Sequence, residues 1–153
     1  MYYFATWGLM LAIPAVAVLI ELMTGSSQDV VWLVAKWFVF WGIGIRMLTA
    51  GIRQVAQPAF TARTLFRFEE PGAEKLVSEI GFGNLAMGSV ATASLLFPSF
   101  TIPLGLAGGL FLALAGIKHV TNADRTIIET TAMITDLIVA IIAIVSVVML
   151  MLR

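Results

Sequence analysis

The chain has 153 residues, 60% hydrophobic and only 12% charged, with nine basic and nine acidic residues that cancel. A soluble domain averages about 45–50% apolar and about 25% charged residues, so these few charges cannot cover this much apolar surface in water, and the same numbers exclude a disordered chain. The absence of cysteine removes disulfide frameworks, thiol catalysis and thiolate-held metals, and zero net charge argues against a nucleic-acid partner.

What remains is an all-α, polytopic membrane bundle in one domain, residues 1–153. A helix needs about 20 mostly apolar residues to cross a hydrocarbon core of about 30 Å. Five stretches meet that length, at about 3–23, 30–52, 78–97, 103–120 and 126–152. The first contains Ala15-Val16-Ala17, which mimics a signal-peptidase site, but it lacks a basic leader and its apolar run continues to Met23. A retained helix is therefore expected. The polar run Thr24 to Asp29 closes this first helix, Pro98 closes the third, and Pro103 suits the first turn of the fourth. Continuous apolar blocks, rather than alternating ones, exclude transmembrane β-strands.

With five crossings, Arg53, Arg63, Arg67, Lys75, Lys118 and Arg125 share one side, while Arg153 stands on the other. By the positive-inside rule the N-terminus is cytoplasmic and the C-terminus lies outside, in a bacterial inner membrane. Residues 53–79 form the one long connection. Pro58 opens a short helix over 58–68 whose Leu65 and Phe68 share an apolar side, with Phe60 at its edge. Arg63 and Arg67, on another side, would face anionic headgroups.

Ionisable groups at membrane depth are expensive, and each is a functional candidate. Arg46 and Arg53 lie seven residues apart on the second helix, and Glu129 and Asp136 seven apart on the fifth. Seven residues are nearly two turns, about 10 Å, so each pair stays on one helix face. In antiparallel helices Arg46 then matches Asp136 in depth, and Arg53 matches Glu129. The spacing predicts that helices two and five are neighbours and that Arg46 pairs with Asp136. Two readings stand for the pair: a structural ion pair that fixes register, or part of a proton or ion path.

A second polar group is expected at the cytoplasmic helix ends: Glu79 and Asn84 on the third helix, His119 on the fourth, with Glu129 and Arg53 beside them. Asn84, Gly88 and Thr92 form one small-residue stripe, and Gly105, Gly109 and Ala113 form another. Such stripes let helices approach closely, which predicts tight packing of helices three and four. The cluster has carboxylates and one His but no E-x-x-H spacing, so no metal site is assigned. Trp37 and Trp41, with Phe38 and Phe40, offer a flat apolar wall of the kind a quinone or lipid would use; otherwise no cofactor is expected.

The run Glu79-Ile80-Gly81-Phe82-Gly83-Asn84-Leu85-Ala86-Met87-Gly88, followed by Ala115-Gly116-Ile117-Lys118-His119, resembles a family of small uncharacterised bacterial inner-membrane proteins. That family is similar in its helical-bundle layout to the DoxX-like proteins. The resemblance covers about residues 40–150 and leaves helix one largely outside. It implies a compact membrane bundle without an assigned activity. Some DoxX-like proteins are linked to thiosulfate:quinone oxidation, but this chain has no cysteine for thiol chemistry. The expected role is a scaffold or accessory subunit, in a homo-oligomer or a membrane complex, rather than an enzyme. The alternatives are a small proton- or ion-coupled transporter built on Arg46 and Asp136, and a quinone- or lipid-linked membrane enzyme.

Overall fold

A computed structural model describes residues 6–65, 67, 68, 70 and 72–153, with the side chain of Leu65 outside the description. Five long helices form the bundle: α1 (Gly8–Met23), α2 (Val30–Ala56), α3 (Ala73–Ala93), α4 (Thr101–Val120) and α5 (Ile127–Met151). A single 3-10 turn, Pro98–Phe100, leads into α4. No strand occurs among the described residues. Three of the helical stretches, Val30–Ala56, Pro98–Val120 and Ile127–Met151, are long and apolar enough to cross a membrane. α1 is apolar but shorter, and α3 is diluted by Glu79, Asn84 and its glycines.

The ends of the helices follow local chemistry. Asp29 starts α2, its carboxylate accepting the Val31 N–H at 3.1 Å. Thr126 and Glu129 start α5 as a reciprocal capping box, each side chain taking the other residue's backbone N–H. α3 begins at Ala73, five residues before the expected start, behind Gly72 at φ +97°. That left-handed turn is open to glycine at little cost, and it brings Glu74 and Lys75 into the first turn.

Two of the long helices contain π-helical stretches, which leave no mark in the apolar pattern. In α1 the stretch is Gly8–Ala12, where the Ile13 N–H reaches back five residues to the Gly8 carbonyl. It lies just ahead of Pro14, whose missing N–H would break a regular ladder at that point. In α2 it is Phe38–Ile45, directly before Arg46.

α2 is the hub, touching each of the other four helices. The predicted neighbourhood of helices two and five is present, but the tight pairs are α2 with α3 and α4 with α5. The small-residue stripes therefore serve other partners than expected, since α3 and α4 touch only lightly. A Cβ on Gly88 would lie 2.6 Å from the Leu48 nitrogen, and one on Gly51 would lie 2.8 Å from the Gly81 oxygen. Backbone thus meets backbone between α2 and α3. On α4, Gly105 makes room for Val147 and Gly109 for Ile144, both on α5. The stripes could not reveal their partners, because a stripe of small residues fits any helix of matching shape.

All five helices feed one core: Met10 from α1, Val39, Ile43 and Met47 from α2, Ala91 from α3, Leu112 from α4, and Val139, Ala140 and Ala143 from α5. Outward faces stay apolar, with Leu19, Leu76, Leu96, Leu114 and Ile141 all more than half exposed. An apolar exterior of this extent is what a lipid solvent accommodates.

The connection carries a helical segment, Pro58–Phe60 continued by Thr61–Leu65, shorter than the expected 58–68. Its inward face is Thr61 and Ala62, with Ala62 packed on Ala73 and Val77. Phe60 and Phe68 stay about half exposed. The arginines are engaged within the protein: Arg63 lies 3.5 Å from Glu74, and Arg67 donates to the Asp124 carbonyl at 3.5 Å.

Candidate functional site

The core is solid through the middle of the bundle but opens at one end. There a cavity of about 570 Å3 lies between the start of α1, the second half of α2, the connector, the first half of α3, the end of α4 and the start of α5. Its apolar wall includes Leu9, Met10, Met47, Ile80, Phe111, Leu112 and Ile128. Its polar lining includes Arg46, Arg53, Gln54, Thr61, Asn84, His119, Glu129 and Asp136. Both sets of intramembrane candidates, the Arg46–Asp136 pair and the helix-end cluster, thus face one space.

Arg46 Nη2 lies 3.4 Å from Asp136 Oδ1. Asp136 is 3% exposed and Arg46 is 25% exposed, so the carboxylate is buried while the guanidinium reaches the cavity. The contact is long and single, not the bidentate fork an Arg–carboxylate pair can form. Arg46 Nε is buried and has no hydrogen-bond partner among the described residues.

The other polar groups are held at the mouth. Asn84 Nδ2 donates to Gln54 Oε1 at 2.7 Å, tying α3 to α2. Glu129 accepts from the Thr126 N–H at 2.6 Å, from Thr126 Oγ1 at 3.1 Å and from Asn122 Nδ2 at 3.3 Å. Arg53 stacks its guanidinium over Phe60, 5.6 Å from the ring centroid. Thr61 is 1% exposed, and its Oγ1 has no partner among the described residues. His119, in the last turn of α4, joins the lining.

Of the expected cluster, Asn84, His119, Glu129 and Arg53 line the cavity, while Glu79 is exposed and lies outside it. Gln54 and Thr61 escaped sequence reasoning. Gln54 follows Arg53 directly, and an α2–α3 pairing read from Gly51 and Gly81 would have brought it to Asn84. Thr61 lies in the predicted connector helix, four and seven residues before Leu65 and Phe68, but a threonine on that side gave no sign of lining a cavity.

Trp37 and Trp41 stand apart from the cavity lining. Trp37 packs edge-on to Phe40 and donates its Nε1–H to Glu21 Oε2 at 2.7 Å. Lys36 Nζ sits 2.9 Å from both Glu21 oxygens and 4.8 Å from the Trp37 ring centroid. This Glu21–Lys36–Trp37 group lies at the other end of the bundle. Among the described residues no three His, Cys, Asp or Glu side chains gather closely enough to hold a metal ion.

A family profile matches residues 2–153, nearly the whole chain. The chain belongs to DUF6790, a family of unknown function. The match bears out the expected kinship with an uncharacterised family and brings helix one within it, where the sequence resemblance had left it outside. No curated protein and no solved structure matches the chain.

Proposed function

We propose that this DUF6790 protein is a five-span membrane protein whose working part is the end cavity, a binding pocket for a small amphiphilic molecule. The observation that carries this reading is a space of about 570 Å3 lined by both apolar and polar side chains. Pockets of roughly 300–1,000 Å3 with apolar walls and a few convergent polar groups are the usual form of small-molecule sites. On this reading α1 and α3 also cross the bilayer, α3 keeping its polar start near the surface. On the same reading, in a bacterial inner membrane, the basic residues Arg53, Arg63, Arg67, Lys75, Lys118 and Arg125 favour a cytoplasmic cavity end by the positive-inside rule.

A scaffold or accessory-subunit role would account for the bundle but gives the cavity's polar lining no use. A proton or ion path from Asp136 would have to continue to the Glu21–Lys36 group, and Met10, Val39, Ile43 and Val139, all fully buried, fill the space between. A binding pocket needs no such continuation.

The test is extraction of small molecules from protein purified in nanodiscs, analysed by mass spectrometry, beside an Ala115→Phe variant that fills the cavity. A co-purifying amphiphile that the variant loses supports the reading. An identical small-molecule content in both proteins would sink it.

A further inference from the structure

The cavity's hydrogen-bonding groups are unevenly used, and the imbalance narrows the chemistry of its ligand. Each arginine offers five N–H donors and no acceptor. Arg46 spends one contact on Asp136, and its buried Nε is left over. Arg53 makes a ring contact with Phe60 and no ion pair among the described residues. Gln54 accepts through Oε1, so its amide N–H groups remain to donate. Thr61 Oγ1, buried on the lining, also lacks a partner among the described residues.

The acceptors are fewer and only partly used: Asp136 takes one long contact, and the Oδ1 of Asn84, whose Nδ2 donates to Gln54, balances the free Gln54 amide. Glu129 takes three hydrogen bonds from Thr126 and Asn122, and Asp136 is buried against Arg46. The lining therefore holds donors in surplus. A buried donor left unsatisfied costs about 1–3 kcal/mol, more when charged, so the missing partner is a group rich in acceptors. The apolar part of the lining, Leu9, Met10, Met47, Phe111, Leu112 and Ile128, asks for hydrocarbon.

Building on the cavity reading, we infer that the ligand is a single-chain amphiphile with an anionic head, a carboxylate or a phosphate monoester. The head lies against Arg46, Arg53, Gln54 and Thr61, and the chain lies on the apolar wall. A space of about 570 Å3 has room for a single short chain with its head.

The experiment titrates the full protein in phosphatidylcholine nanodiscs by calorimetry, with empty nanodiscs subtracted. The probes are octanoate, octyl phosphate, 1-octanol, octylammonium and inorganic phosphate. Octanoate and octyl phosphate should bind saturably and at least about tenfold more tightly than octanol or octylammonium, the factor expected of one hydrogen bond to a charged group. Arg53→Gln, an exposed position where folding is safe, should weaken both anions by about tenfold and leave octanol unchanged. Equal binding of octanol, tighter binding of octylammonium, or an Arg53→Gln effect shared by all the probes overturns the anionic head and leaves the cavity reading standing. Inorganic phosphate binding as tightly as octyl phosphate overturns the amphiphile class. Failure of every octyl probe removes both readings.

Discussion

Replacing Gly88 by alanine should force α2 and α3 apart. The added Cβ would lie 2.6 Å from the Leu48 nitrogen and 3.0 Å from the Gly44 oxygen, where ordinary contact begins at 3.4 Å. Both neighbours are backbone, so no side chain can swing away, and the helices must separate by most of an ångström. Overpacking of this kind costs typically ~1–3 kcal/mol. Gly83, on the same helix, has nothing within 4 Å of its Cβ position and serves as the control. Alanine gains helix propensity over glycine by ~1 kcal/mol at either site, so that gain cancels in the comparison. The two variants should therefore differ by ~1–3 kcal/mol, Gly83→Ala being the more stable. Reversible unfolding in mixed micelles of dodecyl maltoside and dodecyl sulfate, followed by circular dichroism, measures the difference. Equal stabilities would refute backbone-to-backbone packing of α2 on α3.

The Arg46–Asp136 contact gives a second prediction. Arg46→Met or Asp136→Leu alone should cost ~2–3 kcal/mol, below the ~3–5 typical of a fully buried pair because Arg46 is 25% exposed. The double variant Arg46→Met/Asp136→Leu should return close to the parent, and additive single losses in the same unfolding assay would show that the two do not act as a pair. A third concerns Asp29, whose carboxyl is held below its ordinary range first by the Arg153 guanidinium and then by the Trp32 and Val31 N–H groups. Its contribution is full above the usual aspartate pKa and lost as pH falls through and below it; Asp29→Asn should flatten the acid side of a Tm-against-pH curve, and an unchanged curve counts against that role.

The residues legible in the sequence were those whose position depends on one helix alone. Depth along a helix follows from counting, so the seven-residue steps from Arg46 to Arg53 and from Glu129 to Asp136 brought Arg46 and Asp136 to one level. Which face of α3 meets which neighbour is decided by shape, and the glycine stripe gave no direction: it led to α4, whereas α3 lies on α2. The π-helical stretch Phe38–Ile45 depends on how α2 fits among four partners, which composition does not encode. Lys36 and Glu21 were readable in principle. Glu21 is the lone charge of α1 and Lys36 the one charge in the first half of α2, and the short turn between the two helices brings them to similar depth. Glu79 lies outside the cavity because α3 packs its Val77, Gly81, Asn84 and Gly88 face inward, which leaves Glu79 exposed.

The Arg46–Asp136 contact joins residues 90 positions apart, and this separation bears on biogenesis. A ribosome adds roughly 5–20 residues per second, so Arg46 leaves it roughly 5–20 s before Asp136 is made. For that interval Arg46 is without its native partner Asp136, which in a membrane costs ~2.5–3.5 kcal/mol if it rests at the bilayer centre. On the membrane reading, α2 must therefore wait near the membrane surface, borrow a lipid phosphate, or stay within the insertion machinery until α5 arrives. α5 is thus the segment that allows α2 to settle, and truncation before Asp136 should leave a nascent chain prone to proteolysis.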